Sequence, residues 1–217
     1  MYALVRKAKL ARPGAAEEAA RRVREGALPL LRDQPGFLLH LGFVSEACEA
    51  VGVTLFHDGV AARAALGRLR AWAAAGLGDL TAGEPEVRGG EVLHRRAPAP
   101  GLGAGAEEAL FATVREYEGV GPSEEAVPLL GERILPVMER QPGFRGFFAV
   151  RDERDPGRAV SVSLWATRGA AFAAHQRVAE VVEALRDVVP APPRITAGAA
   201  RVVAAAASSS ATAAARP

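Results

Sequence analysis

Two successive βαββαβ units, closed against one another in a single chain, are the α+β fold class that the sequence predicts, and three observations predict it. A ten-residue segment recurs, each half alternates strand and helix periodicity in the same order, and the strands are apolar on both faces. The length of 217 residues allows two units of about 100 residues each.

The recurring segment is Leu28–Phe37 (LPLLRDQPGF), which returns as Leu135–Phe144 (LPVMERQPGF) at an offset of 107 residues. Val5-Arg6 against Val114-Arg115, Arg12-Pro13 against Gly121-Pro122, and Thr54-Leu55-Phe56 against Ser163-Leu164-Trp165 stand 109 apart. Residues 1–97 therefore form the first repeat and 107–204 the second. Residues 98–106 form a Pro/Gly linker, and 205–217 are Ala/Ser-rich and read as a disordered tail.

In the first repeat, Tyr2–Leu10 is a strand ended by Arg12-Pro13-Gly14. Ala16, Ala20, Val23, Ala27 and Leu30 then recur at helical spacing up to the stop at Gln34-Pro35-Gly36. Phe37–Val44 and Ala50–Phe56 are strands joined across Ser45–Glu49, Val60–Gly76 is an Ala-rich helix, and Pro85–Leu93 is the last strand. The second repeat runs Leu110–Tyr117, Ser123–Arg140, Phe144–Arg151, Ala159–Trp165, Gly169–Asp187 and Pro193–Val203, with a Pro- and Gly-bearing turn at 152–157. A βαββαβ unit with both helices on one sheet face is ferredoxin-like. The other face carries Phe43, Val53 and Leu55, or Phe147, Val160, Val162 and Leu164. Faces so apolar must be covered, so the two ferredoxin-like repeats are expected to pack sheet to sheet as an intramolecular α/β barrel, and the chain to be a monomer.

Composition excludes several function classes. Apolar residues are 49% and charged residues 24% of the chain, which is a globular composition. No apolar run reaches the length of a membrane span, and the N-terminus meets charge too early for a secretory signal, so a cytoplasmic location without membrane association is expected. Twenty-seven basic residues, all but two of them arginine, face 25 acidic ones in an interspersed pattern. That leaves no basic stripe for a nucleic-acid backbone. The single Cys48 has no disulfide partner.

The run L-P-x-x-x-x-Q-P-G-F, a strand ending in Trp165, and Phe172-Ala173-Ala174-His175 on the following helix resemble the antibiotic biosynthesis monooxygenase (ABM) superfamily of dimeric α/β barrels. The resemblance spans roughly residues 2–96 and 109–204. It implies that the dimer of that superfamily is fused here into one polypeptide. It further implies oxygen insertion into an aromatic or quinol-type small molecule without a cofactor, the substrate's own carbanion or phenolate reducing dioxygen. Haem binding or degradation, and a non-catalytic binding or stress-response barrel, are the alternatives within it.

His175 is the first candidate for chemistry, standing ten residues after Trp165 as in haem-degrading members; imidazole serves as a base or as an iron ligand. Against haem stands the absence of any Asn, a residue that such members and several cofactor-free ones use. Arg115 and Tyr117, on one strand face, can stabilise a phenolate and donate to a quinone carbonyl; because Arg6 recurs as Arg115, pairing with acids at the barrel seam is the structural alternative. Trp165 and Phe172 are candidates for stacking on substrate, with core packing the alternative for Trp165. These five are expected to line one apolar pocket in the second repeat. The repeated Gln-Pro-Gly segments read as helix stops, and Gly101-x-Gly103-x-Gly105 precedes a strand rather than a helix, so it forms no phosphate loop. His40, His57 and His94 are isolated in sequence and have no metal-site spacing.

Overall fold

A computed structural model describes residues 1–96, 110–183, 187 and 190–206. The expected linker 98–106 lies outside them, as do residues 207–217 of the expected tail. In the first half, β1 (Tyr2–Leu10) leads into α1 (Ala15–Arg22), a π-helical turn (Val23–Ala27) and α2 (Leu28–Arg32). Then come β2 (Phe37–Val44), β3 (Glu49–Phe56), α3 (Gly59–Leu77) and β4 (Thr81–Arg96). The second half repeats the series as β5 (Phe111–Glu118), α4 (Ser123–Leu129), a π-helical turn (Leu130–Ile134), α5 (Leu135–Glu139), β6 (Phe144–Arg151), β7 (Arg158–Trp165), α6 (Arg168–Glu183) and β8 (Arg194–Ala205). Both halves are ferredoxin-like, in the order expected.

Local signals place each element. The Gln34 and Gln141 side chains donate back to the carbonyls of Leu30 and Val137, closing the helices, and Gly36 and Gly143 take the left-handed φ of the turn that follows. Asp58 caps α3 by accepting from the Ala61 amide at 2.9 Å, and Thr167 accepts from the Ala170 amide at 3.1 Å near the start of α6. The π turns interrupt what periodicity reads as one continuous helix. Each ends just before Leu-Pro; in a regular α-helix the rings of Pro29 and Pro136 would crowd the carbonyls of Glu25 and Glu132 four residues back, and a widened turn relieves that clash.

Eight antiparallel strands close in the order β1-β3-β2-β8-β5-β7-β6-β4. Closure depends on the last strand of each half, which changes partners midway. β4 pairs with β1 through Glu91 and with β6 from Val92, while β8 pairs with β5 through Ala199 and with β2 from Ala200 to Ala205. The backbones crowd at these crossings. A Cβ on Gly90 would stand 1.7 Å from the Arg151 carbonyl oxygen, and one on Gly198 2.5 Å from that of Val44.

Alternate residues of every strand point into the barrel, where Val5, Leu41, Val53, Val114, Val150 and Val162 share a dry core. The opposite face of each half's sheet meets its helices, through Leu31, Phe56 and Leu69 in the first half and Leu135, Met138 and Trp165 in the second. Among the described residues no helix is long and apolar enough to cross a membrane.

Candidate functional site

The helix-facing sides of the two sheets differ, and strand register shows why. In the first half His40 lies opposite Thr54, and Gly42 opposite Gly52. In the second half the corresponding pairs are Phe147 with Ser163 and Ala149 with Ser161. The helices reinforce the difference, since Ala20, Val23 and Ala27 stand where the second half has Val127, Leu130 and Ile134. Smaller side chains on floor and roof leave a cavity of about 750 Å³ in the first half and one of about 90 Å³ in the second.

His40, Thr54, Arg6 and Trp72 line the larger cavity. The buried His40 ring is fixed by Nδ1, 2.9 Å from the Thr54 hydroxyl. With the proton on Nδ1 donated to Thr54, Nε2 presents its lone pair over the bare Gly42–Gly52 floor; the space above Gly42 that a Cβ would fill lies 3.6 Å from Nε2. Burial first, and then the Arg6 charge, push the His40 pKa down to about 4, so the ring is neutral at physiological pH. Among the described residues Arg6 makes one long contact, Nη1 donating to the Leu69 carbonyl at 3.5 Å, and its buried Nε has no partner. No carboxylate pairs with Arg6 or Arg115 among the described residues, which removes seam pairing as the explanation for either. Trp72 forms a side wall because Gly26 leaves room for it: a Cβ there would stand 2.3 Å from the indole Nε1.

The residues singled out from sequence occupy several environments. Arg115 and Tyr117 line the smaller cavity. The Arg115 Nη1 donates to Ser163 Oγ at 3.0 Å, the Tyr117 hydroxyl lies 3.4 Å from Ser161 Oγ, and Trp165 Nε1 donates to the same Ser163 Oγ at 3.0 Å. Trp165 is wholly buried and packs edge-on against Phe144. His175 is half-buried on α6, its pKa lowered by burial and then by Arg115, and it lines neither cavity. Phe172 is 55% exposed, with the Arg168 guanidinium 5.3 Å over its ring. Of the five residues expected to line one pocket, Arg115 and Tyr117 do; Trp165 is joined to Arg115 only through Ser163, His175 lies outside the cavity, and Phe172 points away from it.

Sequence reasoning passed over His40, Thr54, Gly42, Gly52 and Trp72. Their signal appears only after β2 and β3 are set in register, which turns isolated residues into a histidine beside a floor without side chains. Neither cavity opens a porphyrin-sized space before His175, so its surroundings do not fit a haem ligand. Among the described residues no group of three or more His, Cys, Asp or Glu is placed to hold a metal ion.

Comparisons with known proteins agree with this architecture. Residues 120–187 match the family model described as antibiotic biosynthesis monooxygenase. The fold is similar to that of a provisionally assigned monooxygenase from Fusobacterium nucleatum subsp. nucleatum, with a TM-score of 0.72 and 10% identity over 94% of each chain. A provisionally assigned monooxygenase from Lactobacillus acidophilus NCFM superposes with a TM-score of 0.71 and 11% identity, over 94% of this chain and 95% of that one. An anthrone oxidase-like protein gives 0.67 and 14% over 95% and 93%. At these identities the likeness is one of fold. No curated protein matches the sequence.

Proposed function

We propose that this chain oxygenates an aromatic or quinol-type small molecule: the match of residues 120–187 to the antibiotic biosynthesis monooxygenase family supports the class of reaction, and the chemistry of the larger cavity supports the first half as its seat. The observation that carries the reading is a neutral, buried His40 beside an Arg6 that has no carboxylate partner among the described residues, in a cavity of about 750 Å³. That volume falls in the range of small-molecule sites, and the Trp72 wall offers a flat surface to a planar ligand.

The arrangement suits deprotonation of an acidic C–H or O–H. His40 Nε2 accepts the proton, and Arg6 stabilises the resulting phenolate or enolate. Burial makes His40 a weak base, but the anion formed beside it favours the imidazolium and offsets that cost. An activated methylene then reacts as CH₂ + O₂ → C=O + H₂O, the substrate anion supplying the electrons, so no external reductant is required. Val23, Leu69, Val202 and Trp72 put apolar surface around the anion, which strengthens its attraction to Arg6.

Oxygen uptake and product mass, measured with a panel of anthrones and quinols and no added cofactor, test the proposal. The expected result is one dioxygen consumed per ketone formed, with His40→Gln lowering turnover by about 10²-fold or more. No uptake across the panel, or uptake indifferent to His40→Gln, would falsify it.

A further inference from the structure

We infer that the second half is a binding site in its own right, taking a short-chain carboxylate on Arg115. Arg115 is 96% buried, being 4% exposed, yet its one hydrogen-bond partner among the described residues is the neutral Ser163 hydroxyl. A guanidinium keeps its charge at any physiological pH, and burying a charge without a counter-ion is costly. The second half therefore holds an unbalanced positive charge at the wall of a cavity.

That cavity defines the ligand. Beside Arg115 stands the Tyr117 hydroxyl, a second donor for an oxyanion; Arg151, whose terminal nitrogens are taken by the Pro156 and Gly121 carbonyls, also lines the cavity, and Leu130, Ile134, Met138, Val178 and Val182 supply apolar wall. A planar carboxylate matches the guanidinium fork, and an apolar tail matches the rest. At about 90 Å³ the space is smaller than the roughly 150 Å³ cavity that admits benzene, so an aromatic ring is excluded and the tail is short. Acetate and propionate have this chemistry. The site is separate from the His40 cavity, and its occupancy does not depend on the oxygenation reading.

The protein contains its own reporter. Ser163 Oγ accepts from both Arg115 and Trp165, and the chain has two tryptophans, so Trp72→Phe leaves Trp165 as the sole indole, one hydroxyl from the ligand-binding guanidinium. Fluorescence of the full-length Trp72→Phe protein is titrated with acetate and propionate at constant ionic strength. Acetamide, a neutral molecule of the same shape, is the control. A saturable change with the carboxylates and none with acetamide is expected. Affinity should fall at least tenfold both in Arg115→Met and in Ala149→Leu, which fills the cavity while leaving Arg115 in place. A titration that does not saturate, that acetamide reproduces, or that survives either variant overturns the assignment.

Discussion

Lys7 and Glu116 stand at the same position of the two halves, 109 residues apart, and meet inside the barrel with Nζ 2.6 Å from Oε2. Both are about 95% buried. In a barrel of two identical chains this position would face its own copy, like charge against like. A single chain can place opposite charges there, and the charges that sequence reasoning sought for Arg6 and Arg115 at the seam belong instead to the residues next to them. Arg194 also donates to Glu116 Oε2 at 2.9 Å, and Arg88 lies 3.2 Å from Oε1 without a hydrogen bond to it.

Glu116 is therefore the member whose loss costs more. Glu116→Gln leaves Lys7 buried with Glu49 4.0 Å away as its remaining acid, and is expected to cost about 3–5 kcal/mol. Lys7→Met leaves Glu116 bonded to Arg194 and should cost less, about 1–3 kcal/mol. Urea denaturation of both variants checks the order; equal losses would contradict it.

The strand crossings give a second expectation. Gly90→Ala drives a methyl into the Arg151 carbonyl, and Gly198→Ala into that of Val44. Neither backbone can yield without opening the barrel, so each substitution should cost about 3 kcal/mol or more. Gly67→Ala, inside α3 with nothing within 4 Å of the added methyl, should instead stabilise by about 0.5–1 kcal/mol. Thermal unfolding of the three variants decides between a crowding effect and a general sensitivity to glycine replacement.

Much of the fold was legible because it is written in local signals. Strand periodicity, the Gln-Pro-Gly stops and the apolar second sheet face place Phe37–Val44 and Phe144–Arg151 at their observed limits. The π turns were not legible, since their cause is a proline two residues beyond each turn acting through the backbone rather than through hydrophobic spacing. The larger cavity was hidden for another reason. It arises from small residues at positions 20, 27, 42 and 52 that line up only in three dimensions, and one histidine among four has no spacing to betray it. His175 and Phe172 were conspicuous in sequence because they follow Trp165, yet helix geometry turns Phe172 outward.

The glycine floor separates ligand binding from stability. A methyl on Gly42 meets Val202 at 3.4 Å and His40 at 3.6 Å, and one on Gly52 meets His40 at 3.5 Å, all ordinary contacts. Gly42→Ala and Gly52→Ala should leave stability unchanged or raise it by about 0.5–1 kcal/mol, as expected for replacing glycine within a strand. They should nevertheless weaken binding of a planar ligand, because the methyls occupy the floor beside the His40 ring, at Nε2 for Gly42 and at Cε1 for Gly52. Parallel melting curves and ligand titrations test this; affinity equal to that of the parent protein would place the ligand elsewhere.

His40 makes stability depend on pH in a known direction. Its folded pKa is depressed from the ordinary 6.5 to about 4, with burial the larger cause and the Arg6 charge the smaller, and Thr54 is its hydrogen-bond partner. Between these values the unfolded chain binds a proton that the folded chain refuses. The contribution is thus fully present above pH 6.5 and is lost as pH falls toward 4, amounting to about 3 kcal/mol across the window. His40→Gln removes the titrating group while retaining a polar side chain opposite Thr54. Between pH 7 and 4.5 it should lose less stability than the parent protein, by about 2–3 kcal/mol. Chemical denaturation at the two pH values measures that difference directly; parallel pH profiles would mean that His40 is solvated and protonates freely, and the base in the proposed reaction would then have to be sought elsewhere.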